Sequence, residues 1–222
     1  MTVLDPDRHE QLLAWLSRSR DLGFIGPGPV DSQVTHSLAF ANAWGRLRSA
    51  PPARILDLGS GGGLPGLVLA EVWPSSAVFL LEVQRRRATF LREALAASTR
   101  SGGSSVVEGR AEEVAHGPLR DTIDLVTARG FGLPAVVAEC AVGFLRKGAL
   151  LLVSEPPLVD PARWPGAPLA RLGLRSLERL TDPTSVVCLE RSGLVPPHVP
   201  RRIGLPRKRP LWALEESRPP RS

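Results

Sequence analysis

Ile55-Leu56-Asp57-Leu58-Gly59-Ser60-Gly61-Gly62-Gly63-Leu64-Pro65-Gly66 is the stretch on which the fold turns. A short apolar run ends in a carboxylate, a glycine-dense turn follows, and Pro65 opens a helical pattern that continues to Trp73. Glycines adopt backbone angles that other residues avoid and leave no Cβ to block a ligand lying on the turn. A strand, such a turn and a helix in succession hold a nucleotide-like cofactor at the carboxyl ends of parallel strands.

Outward from this stretch, short apolar runs alternate with helical patterns. The runs are Arg54 to Leu58, Ala77 to Glu82, Ser105 to Glu108, Thr122 to Thr127 and Ala149 to Ser154. Between them lie Pro65 to Trp73, Gln84 to Ser98 and Leu133 to Leu145, the last two amphipathic. This rhythm predicts βαβ crossovers and therefore an α/β, doubly wound, mostly parallel sheet with helices on both faces. Leu172 to Leu180 and Ser185 to Glu190, joined by Thr181-Asp182-Pro183-Thr184, are expected to close it as an antiparallel pair, which makes seven strands.

Before the sheet, Asp5-Pro6 reads as a cap and first turn for a helix carrying Leu12, Leu13 and Leu16. Gly23 to Pro29 breaks it, and Asp31 is placed to cap a second helix with Val34, Leu38, Ala41 and Trp44 on one face. The expected organisation is an N-terminal helical extension over 1–50, a cofactor-binding domain over 51–192 and a basic, Pro-rich tail over 193–222. A chain of 222 residues suits one main domain plus extensions, since domains commonly hold about 100 to 200 residues.

Charge is concentrated at one end. From Leu194 onward Arg201, Arg202, Arg207, Lys208, Arg209, Arg218 and Arg221 stand against Glu215 and Glu216, which accounts for +5 of a net +6. Such a segment attracts phosphates; a solvated, extended basic tail is the alternative. The acidic start of the chain argues against a secretory signal, and Ala149 to Val153 is far shorter than the roughly 18 apolar residues of a membrane span. Cys140 and Cys188 lie too far apart for a redox pair or metal knuckle and read as reduced core thiols of a cytoplasmic protein. His9, His36, His116 and His198 are scattered without metal-ligand spacing, so no metal is expected.

Asp57 at the strand end, beside an acid-x-G-x-G-x-G register, suits a cofactor with an ammonium and no phosphates. Gly61, Gly63 and Gly66 also fit the dinucleotide pattern G-x-G-x-x-G, which leaves a nicotinamide oxidoreductase as a rival. Glu82, ending the second strand, is placed to accept hydrogen bonds from both ribose hydroxyls.

These residues resemble the glucose-inhibited division protein B family, the small-subunit ribosomal RNA guanine-N7 methyltransferases. The resemblance spans about His36 to Ser154. Its marks are Asp57 to Gly66 with the Leu64-Pro65-Gly66 ending, Leu80-Leu81-Glu82 followed by Arg86-Arg87 and Phe90-Leu91, Gly109-Arg110-Ala111-Glu112-Glu113, and Thr127-Ala128-Arg129-Gly130-Phe131. A second patch, Pro200 to Leu211, looks like the Pro-Arg-Lys-x-Gly-x-Pro-x-Lys-x-Pro ending of many members. The resemblance implies a Rossmann-like class I methyltransferase fold and S-adenosylmethionine as cofactor. It places Gly59 and Leu64 against the cofactor, Ala111 and Glu112 near its adenine, and Arg129 at the site; Gly61 joins them from the loop and Glu82 from the ribose argument.

It also implies ribosomal RNA or the small ribosomal subunit as partner; the basic tail offers Arg201, Arg202, Arg207 and Lys208 to its phosphates, and a monomer is expected. Guanine N7 has an available lone pair, so no catalytic base is assigned. The chain departs from the family where Ala39-Phe40 replaces Asp-Ser and Ser154-Glu155-Pro156 replaces Lys-Gly, the latter setting an acid on the expected substrate side. A methyltransferase of another RNA base or small molecule and a non-catalytic RNA-binding relic are the remaining readings.

Overall fold

The structure, a computed structural model, describes residues 6–98, 103–157, 160–182 and 184–213. Asp5, Pro183 and residues 214–222, with Arg218 and Arg221, lie outside the described residues. In chain order the elements are α1 (Pro6–Asp21), α2 (Val30–Leu47), β1 (Arg54–Leu58), α3 (Gly66–Val72), β2 (Ala77–Glu82), α4 (Arg85–Ala97), β3 (Ser105–Glu108) and α5 (Ala111–Val114). Then follow β4 (Ile123–Ala128), α6 (Pro134–Val142), β5 (Leu145–Ser154), α7 (Gly166–Arg171), β6 (Leu174–Leu180), β7 (Val186–Arg191) and α8 (Leu205–Lys208).

The seven strands form one sheet in the order β3-β2-β1-β4-β5-β7-β6. The first five are parallel, and β7 runs antiparallel to both β5 and β6. Both faces are covered, which is why the strands read as continuous apolar runs rather than as alternation. Ile55, Leu80, Leu125 and Leu152 face a core shared with α1 to α4, while Leu56, Leu81, Val126 and Leu151 face one shared with α5 to α7. Leu12, Leu16, Val34 and Phe40 belong to the first of these cores, so α1 and α2 bury their apolar stripes directly on α3 and α4.

Four local expectations change. The second helix begins at Val30 with Pro29 as its cap residue, so Asp31 is no cap; it sits in the first turn, where a carboxylate complements the positive helix end. The fifth strand starts at Leu145, because a register shift between Ile123 and Leu125 lets the polar Arg146-Lys147-Gly148 continue the strand as a bulge. A short helix, α7, lies between β5 and β6, where the sequence reading placed no element. Finally, α6 is not amphipathic in use: every one of its residues is buried, Glu139 included, since α8 from the C-terminal segment packs on the helix.

Candidate active site

β2 and β3 lie to one side of β1 and β4 to the other, so the order reverses between β1 and β4. Crevices at such switch points lie beyond the carboxyl ends of the strands. Here a cleft opens where the loop after β1 meets the loop after β4. It has two lobes that share Gly59, Arg87 and Gly130. The first, about 170 Å³, is bordered by Glu82, Ala111, Glu112, Phe131, Cys140 and Arg207. The second, about 250 Å³, is bordered by Phe24, Gln33, Gly61, Leu64 and Arg129.

The glycine turn holds this shape for two different reasons. Gly59 has φ +72°, and a Cβ there would stand 2.6 Å from Phe131 Cδ2, so the aromatic ring lies directly on the glycine. Gly62, Gly63 and Gly66 face inward instead. A Cβ would meet Ser19 Oγ at 2.3 Å, Leu67 Cδ1 at 2.4 Å and Leu80 Cδ2 at 2.3 Å respectively. These three are needed for packing against the protein, not for admitting a ligand.

Asp57 likewise turns inward, which corrects its assignment as a contact to a cofactor ammonium. Its Oδ2 accepts from the Gly66 N–H at 3.1 Å and its Oδ1 from the Thr127 hydroxyl at 3.0 Å. Burial raises its carboxyl from 3.8 to about 6, against the lowering effect of those hydrogen bonds and of Arg129. The same contact weakens the dinucleotide reading. A pyrophosphate at a helix N-terminus uses the first free N–H groups, but Gly66 N is taken by Asp57, and Leu67 N donates to Gly63 O.

Glu82 lies at the end of β2 with Oε2 accepting from Gly61 N at 2.8 Å and Oε1 from Gln84 N at 2.7 Å. Each carboxylate oxygen accepts more than one hydrogen bond, so both retain capacity toward the first lobe. Ala111 and Glu112 begin α5 on the opposite wall, and Glu112 Oε1 accepts from the Gly204 N–H at 3.0 Å. Gly61 and Leu64 line the second lobe together with Arg129. Arg129 donates through Nη2 to Gln33 Oε1, while its Nη1 is buried without a partner. Burial lowers the pKa of this guanidinium, offset by Asp57. Arg87 presents a second such donor, its Nε buried and unpaired.

The four basic residues expected on RNA are not equivalent. Arg201 is tied to the body of the protein. Its Nε and Nη2 each reach a Glu139 oxygen at 2.7 Å, and its backbone N–H reaches Oε1 at 3.0 Å. Glu139 is fully buried, and the hydrogen bonds to it raise the Arg201 pKa. Arg202, Arg207 and Lys208 are all exposed, and of the three Arg207 alone borders the first lobe. Glu155, the acid at the departure from the family pattern, lines neither lobe. It is buried against Arg163, at 2.5 Å and 3.2 Å, with Arg179 at 3.6 Å.

Gln33, Phe24 and Cys140 border the cleft but were not assigned from sequence. Gln33 sits on α2 one position before the apolar stripe begins, and nothing in the helical spacing separates it from a solvated polar residue. Cys140 belongs to the apolar pattern of α6, and burial pushes its thiol pKa well up.

Residues 30–155 match the family described as GidB, rRNA small subunit methyltransferase G. The ribosomal RNA small subunit methyltransferase G of Symbiobacterium thermophilum is 33% identical over 196 residues, covering 82% of this chain and 80% of that one. The crystal structure of cofactor-bound Rv0187 from MTB is similar with a TM-score of 0.57 at 22% identity, covering 85% of this chain and 91% of that one. A variant of MtNAS in complex with S-adenosylmethionine gives a TM-score of 0.56 at 15% identity, covering 81% and 73%. These two likenesses bear on the fold alone. The match across β1 to β5 and the relative together assign the chain: it belongs to the rRNA small subunit methyltransferase G family.

Proposed function

We propose that this chain transfers the methyl group of S-adenosylmethionine to N7 of a guanine in 16S ribosomal RNA. The observation that carries the reading is the polarity of the cleft. Two buried, unpaired arginine donors, Arg129 Nη1 and Arg87 Nε, border it around the glycine turn, and the carboxylates of Glu82 and Glu112 stand in its other lobe. An orphaned buried donor is costly unless a ligand completes it. A zwitterionic methionine joined to a ribose and an adenine supplies a carboxylate for the donors and hydroxyls for Glu82.

In this reading Gly59, Gly61 and Leu64 form the floor, Glu82 accepts from the ribose, Ala111 and Glu112 flank the adenine, and Arg129 holds the carboxylate. When bound, the cofactor supplies an electrophilic methyl on its sulfonium. The guanine N7 lone pair needs no deprotonation, so no side chain has to act as base. What the chain contributes is orientation, which is worth up to about 7 to 11 kcal/mol when two reactants are held in line. The lobe bordered by Phe24 and Gln33 receives the base, and the rings of Phe24 and Phe131 limit water at the two ends. Residues 1–50 then act as an extension walling the base side, 51–192 as the methyltransferase body and 193–222 as a basic segment toward RNA.

The partner is ribosomal RNA or the small subunit, and the enzyme works as a monomer in the cytoplasm. Cys140 and Cys188 are free and buried, as reduced thiols are in such a compartment. The test is calorimetric titration with S-adenosylmethionine and with NAD, followed by methyl transfer to unmodified small-subunit RNA and mapping of N7-methylguanine by borohydride and aniline scission. Binding of the first ligand only, and one scission site lost in Gly59→Arg, are expected. Binding of NAD alone, or methylation without scission, overturns the proposal.

A further inference from the structure

We infer that the C-terminal segment divides its cations between two tasks: Arg207 is a positioning residue of the cofactor cleft, and Arg202, Lys208 and Arg209 form the surface that meets RNA phosphates. The inference rests on the function proposed above and separates residues that the sequence presents as one basic run. Residues 30–155, which match the family, do not contain this segment.

The segment is anchored before Arg207 is reached. Arg120 donates to Val199 O at 2.9 Å, His116 Nε2 lies 2.8 Å from Pro200 O, and Arg201 is held by Glu139. Gly204 then turns with φ +74° and donates to Glu112, and α8 starts with Pro206 buried. This places Arg207 over the cleft. Its Nη2 donates to Phe131 O at 3.1 Å and its guanidinium lies 5.9 Å from the centre of the Phe131 ring. The ring itself lies on Gly59, so Gly59, Phe131 and Arg207 form a continuous stack along the first lobe. A planar guanidinium covers a ring with its face while its edge donates to a carbonyl, a geometry that the compact point charge of an ammonium does not reproduce.

The other three cations differ in position. Arg202, Lys208 and Arg209 are exposed, as Arg207 is, and like it they form no ion pair with the described residues, but unlike it they border neither lobe of the cleft. Three unpaired positive charges on one short, rigidly held segment repel one another, and a phosphate chain relieves that repulsion while releasing its own counterions. These three cations lie close to Arg207 in the chain without bordering either lobe of the cleft.

Two sets of variants separate the tasks, with S-adenosylmethionine binding read by calorimetry and binding of a twelve-nucleotide oligouridylate read between about 50 and 200 mM salt. Arg202→Ala/Lys208→Ala/Arg209→Ala is expected to leave cofactor affinity within about twofold and to reduce the salt slope by about 2, since each phosphate contact on a single strand contributes about 0.7. Arg207→Ala is expected to weaken cofactor binding about tenfold, raising KM for the cofactor more than it lowers kcat, with the salt slope unchanged. Arg207→Lys should keep the charge but not the affinity. Full recovery of cofactor binding in Arg207→Lys, or an unchanged slope in the triple variant, overturns the division. A wild-type protein that binds no S-adenosylmethionine fails the proposed function instead, so the two failures are distinguishable.

Discussion

Asp57 is a single carboxyl group whose environment can be read out by titration. Its folded-state value of about 6 lies above the ordinary 3.8, so between those values the native state binds the extra proton. The sign follows: this group favours the fold fully below about pH 4, and the contribution is lost as pH rises through 6. Urea unfolding should show the wild type gaining about 1 to 1.5 kcal/mol relative to Asp57→Asn on going from pH 7 to pH 5. An unchanged difference would mean that Asp57 is not desolvated as described. Two glycines make a second pair of residue-scale tests. Gly66→Ala pushes a Cβ to 2.3 Å from Leu80 and 2.7 Å from Asp57 Oδ2. It should cost about 2 kcal/mol or more by overpacking. Gly45 lies inside α2, exposed and with nothing within 4 Å of a new Cβ. There Gly45→Ala should stabilise by about 0.5 to 1 kcal/mol in the same urea experiment.

At the scale of elements, α6 depends on a partner distant in sequence. Its Glu139 is buried and its charge is balanced by Arg201, 62 positions later. Arg201→Ala leaves a buried carboxylate unpaired and should destabilise by about 3 to 5 kcal/mol, whereas Glu139→Leu/Arg201→Met, which removes both charges, should recover most of that loss. Chemical denaturation of the two variants decides the point, and equal stabilities would deny that the pair is desolvated. Glu190 makes a contrasting case on β7. Burial would raise its pKa, but hydrogen bonds from Arg175 and Arg48 hold it below the ordinary carboxylate value. The helix α6 also illustrates what element-level patterns miss: its sequence has a polar residue where an exposed face would be, and that residue turns out to be a ligand for a guanidinium.

At the scale of the whole molecule, the basic C-terminal segment is part of the folded body as far as residue 213. Val199 and Pro206 are buried, Trp212 Nε1 donates to Arg163 O at 3.1 Å, and Glu112 and Glu139 take donors from the segment. Truncation after Ser192 should therefore lower the thermal midpoint by on the order of 10 °C, together with S-adenosylmethionine affinity; a loose tail would leave both unchanged. The sequence by itself determined the parallel sheet, because strands buried on both faces must be continuous apolar runs, and those runs alternate with helical spacing. It also determined where the cleft lies, because a glycine turn between a strand and a helix, with Glu82 at the end of the next strand, already marks the carboxyl edge. Only the tertiary structure decided which groups face that cleft. Asp57, Gly63 and Gly66 look like ligand contacts in the linear pattern yet point into the protein. Gln33 and Phe24 reach the cleft from a region whose spacing sets them on no particular face. The physical reason is that periodicity reports which residues avoid water, whereas the direction of a polar group is set by the hydrogen-bond partner it finds, and for Asp57, Arg201 and Glu155 that partner is brought near only by folding.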